Sequence, residues 1–157
     1  MRKIKNPWAG DPDYLCYGCC PDNGIGLKME FFEDGDEVVS LWNPSPHHIG
    51  EEGVVHGGVQ SALIDEAAIW YVMVKLGTVG VTAELRVKYR KVLKMSGGEF
   101  AIRASFHNKR KNVYGIDVRI FDNSGVLCTD GRVTVFTVSP ETAREGFGLP
   151  EKEAFFE

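Results

Sequence analysis

An α+β fold, with one long apolar helix enclosed by a curled antiparallel sheet, is what this chain predicts, and three observations carry the expectation. Between Val59 and Leu76 runs an Ala-, Leu-, Ile- and Met-rich stretch without proline or glycine, long enough for about five helical turns. Downstream of it, four segments alternate apolar and polar residues with the period of strands, and turn residues divide them. The helix itself carries no charge before Lys75 except Asp65 and Glu66, so it has almost no face to give to water. A single layer of sheet cannot shield it on every side, and association with a second copy is therefore expected.

The elements follow in order. Residues 1–15 read as an N-terminal extension in which Pro7, Gly10 and Pro12 interrupt regular structure. The domain, residues 16–138, opens with the turn chemistry of Cys20 to Gly26. Leu27, Met29 and Phe31 alternate with Lys28 and Glu30, and across the Asp34-Gly35-Asp36 turn Val38 to Trp42 predicts the second strand of a hairpin. Two prolines between Asn43 and His48 lead into Gly53 to Gly58, where the chain must turn sharply before the helix, and Gly77 ends that helix. Strands are expected at Val81 to Val92, Glu99 to His107, Val113 to Phe121 and Val126 to Val138, with hairpin loops at Asn108 to Asn112 and Asp122 to Gly125. On the first of these strands Val81, Ala83, Leu85, Val87 and Tyr89 form the expected buried face, which sends Thr82 to the opposite side. The tail, residues 139–157, is charged and is expected to form a short surface helix anchored by Phe155 and Phe156.

Composition narrows the function. With 157 residues, 43% apolar and 25% charged, the chain is an ordinary globular one of a single domain. A net charge of −4 leaves no surplus of cations for a nucleic-acid partner. The basic start, Met1 to Asn6, is not followed by an apolar run, and the most apolar stretch, Ala67 to Val74, is too short to span a bilayer. A cytoplasmic protein without a membrane segment is expected. Cys16, Cys19, Cys20 and Cys128 are too few for a disulfide framework, and Cys16-x-x-Cys19-Cys20 has no second ligand pair, so it reads as a loop of reduced thiols with no metal.

Chemistry concentrates in His56-Gly57-Gly58-Val59-Gln60-Ser61-Ala62-Leu63-Ile64-Asp65-Glu66. Two glycines at a helix start let another group approach unpaired N–H donors, where the helix dipole stabilises developing negative charge. They serve a tight strand-to-helix turn equally well. Asp65, in the middle of an apolar helix, is costly to desolvate without a partner or a task, and Glu66 is the competing acid, about 100° further around. Gly57 and Asp65 lie about 12 Å apart along the helix, so they can act on one carbonyl only if they come from different chains. His56 is expected to hold its loop through a ring hydrogen bond.

His56-Gly57-Gly58 with an acid nine residues after the histidine resembles the hotdog-fold acyl-CoA thioesterases of the phenylacetyl-CoA and 4-hydroxybenzoyl-CoA type. The likeness includes the Cys-Tyr-Gly-Cys and Pro-Asp-Asn-Gly-Ile-Gly-Leu entry and the Gly80-Val81-Thr82-Ala83-Glu84-Leu85 strand, and extends from about Cys16 to about Val138. It implies hydrolysis of acyl-CoA to free acid and coenzyme A, with the Gly57 N–H polarising the carbonyl and Asp65 of a facing subunit as general base or nucleophile. Thr82 matches a position near the nucleophilic water. His56, Gly58, Arg90 and Lys91 are the candidate substrate-binding residues. No cofactor is expected beyond the coenzyme A of the substrate, and the assembly implied is a homodimer or a dimer of dimers. One position departs from the pattern: some relatives carry an orienting Asn or Gln where this chain has Gly50, a contact that His47 or His48 could replace only through a rearranged loop. A non-catalytic acyl-CoA or lipid-binding hotdog protein is the alternative.

Overall fold

The computed structural model describes residues 1–156. Strands β1 (Arg2–Ile4), β2 (Phe31–Asp34) and β3 (Glu37–Trp42) precede helix α1 (Gly57–Leu76). After it come β4 (Gly80–Tyr89), β5 (Phe100–Arg110), β6 (Val113–Phe121), β7 (Leu127–Thr137) and a short helix α2 (Pro140–Phe147). The strands form a single antiparallel sheet in the order β1-β2-β3-β5-β6-β7-β4. Period-two alternation sends Val38, Ile102, Ala104, Ile116, Val118, Ile120, Val133 and Val135 to one face, where they bury α1 through Leu63, Ile64, Ala67, Tyr71 and Val74. On the other face ion pairs replace packing: Arg103 with Asp34 and Glu37, Arg119 with Glu37, and Arg132 with Asp117.

The long helix, its stop and the run of strands agree with the sequence reading. α1 begins two residues before Val59 because His56 caps it, and it ends at Gly77 in the left-handed conformation, φ 63°. Elsewhere the outcome differs. Leu27 and Met29 are buried as alternation requires, yet Lys28 at φ 52° breaks the extended backbone, so the strand begins only at Phe31. β4 stops at Tyr89, because Arg90 and Lys91 both turn their N–H groups onto the Cys128 carbonyl. The β5–β6 loop closes to Lys111 and Asn112, with Lys111 at φ 57°.

Both ends of the chain join this core. β1 adds to the sheet edge beside β2, and the Lys5 N–H donates to Phe155 O at 2.8 Å. Trp8, Trp70 and Phe155 meet edge to face, and Trp70 stacks on Phe31 at 4.6 Å. The terminal segments thus cover the flank of α1 around Trp70. A stripe spaced by four, three, four, four and three residues stays incompletely covered: Gly58, Ala62, Asp65, Ile69, Met73 and Leu76.

Candidate active site

Local hydrogen bonds set the start of α1. The Tyr89 hydroxyl donates to Gly57 O at 2.7 Å and lies 2.9 Å from Ser61 Oγ, which pins the first turn to the end of β4. Gln60 is buried, donates to Val55 O at 2.8 Å and accepts from the Thr129 hydroxyl, which ties the same turn to β7. His56 Nδ1 accepts the Gly58 N–H at 2.9 Å. The ring therefore acts as the helix cap, and the Gly58 donor is spent on it. The Gly57 N–H meets no acceptor among the described residues, so one unpaired donor stands at the positive end of a 20-residue helix. Replacing His56 by Ala should cost about 1 kcal/mol of stability, the usual value of an N-cap, measurable by urea unfolding.

Thr82 corrects the strand reading. A bulge between Thr82 and Glu84 inserts Ala83 as an extra residue, so Thr82, paired with the buried Val135, shares the helix-facing side with Leu85 and Val87. Val81, expected inside, is instead 69% exposed. From its new position the Thr82 hydroxyl donates to Asp65 Oδ1 at 2.6 Å, which fixes the carboxylate in the middle of the half-covered helix stripe.

The other candidates separate from this pair. Glu66 turns to the opposite flank, toward the loop of Cys16 and Cys19, where its Oε1 accepts from Trp70 Nε1 at 3.0 Å and from the Cys16 thiol at 3.4 Å. Burial pushes its carboxyl up to about 7. Cys16 is pulled down by the Cys19 thiol that donates to it, and Cys19 is pushed up by the same contact and by burial. Arg90 is ion-paired with Asp130, whereas Lys91 is exposed and joins no ion pair among the described residues. A Cβ on Gly50 would stand 3.0 Å from His56 Cα, so an orienting amide could not be grown there without moving that backbone. His48 cannot take its place, because its Nδ1 accepts from Ser45 N and its ring lies against Trp42. Sequence reasoning missed Tyr89 and Gln60, whose roles as anchors depend on partners far along the chain.

Comparison with known proteins points the same way. Residues 52–129, which contain His56, Gly57, Asp65 and Thr82, match the family model of the thioesterase superfamily. Over that stretch the chain is similar to the thioesterase superfamily. Its fold is the hotdog fold, a sheet wrapped on one long helix. Among solved structures, a thioesterase from Haemophilus influenzae is 22% identical with a TM-score of 0.65, covering 71% of this chain and 79% of its own. Zebrafish thioesterase superfamily member 2 is 23% identical with a TM-score of 0.62, covering 69% and 81%. A hypothetical thioesterase from Streptococcus pneumoniae, solved with coenzyme A, is 23% identical with a TM-score of 0.63, covering 70% and 85%. No curated protein matches the sequence. Among the described residues, no helix is long and apolar enough to cross a membrane.

Proposed function

We propose that the protein hydrolyses acyl-CoA thioesters in a site shared by two subunits, with the Gly57 N–H as oxyanion donor and Asp65 as general base or nucleophile. The observation that carries this reading is the pairing of a Gly57 donor without an acceptor among the described residues with an Asp65 carboxylate held by Thr82 on a half-covered helix face. Along one helix the two lie about 12 Å apart, too far to flank one carbonyl. A second copy seated antiparallel on the stripe brings the helix start of one subunit beside Asp65 of the other. β4 supports the same arrangement: it is the edge of the sheet, ten residues long and unpaired on its outer side among the described residues, an open template for the β4 of a second copy. The ion-paired outer face of the sheet remains for a dimer of dimers.

In that site the thioester oxygen faces the Gly57 N–H, whose field stabilises the oxyanion as it forms. Acting as a base, Asp65 takes a proton from water, the water oxygen bonds the carbonyl carbon, and the C–S bond then breaks to release coenzyme A as its thiol after it takes up the proton. Acting as a nucleophile, its carboxylate oxygen bonds the carbonyl carbon as the C–S bond breaks and the coenzyme A thiolate leaves, and water then opens the resulting anhydride to the free acid and the restored carboxylate. Thr82 orients the carboxylate in both cases. Lys91, two residues past β4 and without an ion pair among the described residues, and Arg90 beside it supply charge for the phosphates of the substrate. Coenzyme A in the Streptococcus pneumoniae structure and acetyl-CoA in a Streptococcus mutans one favour this substrate class.

Tyr89→Phe removes the anchor of the oxyanion turn while keeping the ring, and should lower kcat by about tenfold with little change in KM, since misplacing a donor costs transition-state binding. The function itself is tested with a panel of acyl-CoA substrates and detection of the released thiol. Turnover of at least one acyl class is expected. Tight binding without turnover across the panel would instead establish a non-catalytic acyl-CoA or lipid-binding protein, the reading that the closed position at Gly50 favours.

A further inference from the structure

We propose that Cys16, Cys19 and Glu66 form a binding site for a zinc-class divalent cation that staples the N-terminal loop to α1. The sulfurs of Cys16 and Cys19 lie 3.1 Å apart, and Glu66 Oε1 lies 3.4 Å from Cys16 Sγ. One ligand atom from each of the three residues falls within 4.8 Å of the others. Sequence spacing offers only the Cys-x-x-Cys pair, and the third ligand arrives from fifty residues away when the loop folds over the helix.

Three features mark a built site. Glu66 is a half-buried carboxylate with no ion pair among the described residues, and apart from the Trp70 indole N–H the groups gathered beside it are weak acids, the Cys16 and Cys19 thiols, with the Tyr14 hydroxyl behind them on Cys19 Sγ at 2.7 Å. A divalent cation is the partner that such a donor set lacks. Gly18 forms the cradle: a Cβ there would stand 2.3 Å from Glu66 Cδ, so the carboxylate reaches the thiols only across a glycine. Trp70 Nε1, at 3.0 Å, orients the same carboxylate as an outer partner orients a metal ligand.

The donor chemistry selects the ion. Two thiolates and one carboxylate suit zinc and its softer neighbours and exclude calcium and magnesium, which take oxygen ligands. Bonds of about 2.3 Å at tetrahedral angles place two sulfurs roughly 3.8 Å apart, so the thiols part by a fraction of an ångström when the ion displaces their protons to solvent. Water takes the fourth position. Cys20 stays outside, with its thiol on Tyr14 O, and Cys128 is held by Val126 O.

The test uses the full chain, reduced, stripped with a chelator and titrated with Zn²⁺ or Co²⁺ alone. One ion per chain is expected, with a thiolate-to-cobalt charge-transfer band in the near ultraviolet. Cys16→Ser and Cys19→Ser should abolish the band, Glu66→Gln should weaken binding by at least about tenfold, and Cys20→Ser and Cys128→Ser should leave it intact. A folded, reduced wild-type chain that takes up no ion overturns the site without recourse to any variant. So does a cobalt band that survives in Cys16→Ser or Cys19→Ser.

Discussion

Asp65→Asn is expected to lower kcat by at least about a hundredfold while the variant remains folded and assembled. The amide keeps the shape of the side chain and its oxygen still accepts from the Thr82 hydroxyl at the same distance, so packing on the helix stripe is unchanged. What disappears is the group that, in the proposed mechanism, takes a proton or attacks the carbonyl. Glu66→Gln should do less, because that carboxylate faces Cys16 and Trp70 on the other flank of α1. Steady-state kinetics on the best substrate of the acyl-CoA panel, with circular dichroism as the folding control, checks the ranking. If Glu66→Gln proves the more damaging, the catalytic role moves by one residue.

Ile69→Asp carries the second large effect. Ile69 lies four residues beyond Asp65 on the stripe that a second copy would cover, and a twofold axis would bury one new carboxylate from each subunit there. An unpaired charge taken from water at an interface costs several kcal/mol, enough to move a dimer to monomers at micromolar concentration. Sedimentation should show the monomer, and hydrolysis should fall at least about a hundredfold although Asp65, Thr82 and Gly57 are untouched. A monomeric Ile69→Asp protein with full activity would mean that one chain holds the whole site.

How much of this was legible in the sequence differs from element to element. α1 was, because eighteen residues free of Gly and Pro closed by Gly77 admit one reading, and β6 was, because apolar and polar residues alternate from Ile116 to Ile120. The geometry of the candidate site was legible where it depends on local order: the His56 ring hydrogen bond that holds the turn, the unpaired Gly57 N–H, Asp65 as an acid on an apolar helix. Thr82 was misplaced because the bulge at Ala83 arises from register against β7, which no residue of β4 announces. Tyr89 looked like one more apolar residue of an alternating strand, and only the folded chain shows its hydroxyl on Gly57 O. β1 was hidden as well, since three residues with two cations carry too little pattern to mark an edge strand.

The shared site is the center of the account, and mixing two inactive chains tests it most directly. Asp65→Asn is combined with Gly57→Val, whose added methyls press on the Tyr89 ring that anchors the turn. In a hybrid dimer one site receives an intact Asp65 from one chain and an intact Gly57 turn from the other, while its twin receives both defects. Random exchange makes about half of the dimers hybrids, so the mixture should recover roughly a quarter of wild-type activity. No recovery, with both variants folded and exchange demonstrated by differential labelling, would show that Asp65 and Gly57 do not act across the subunit boundary.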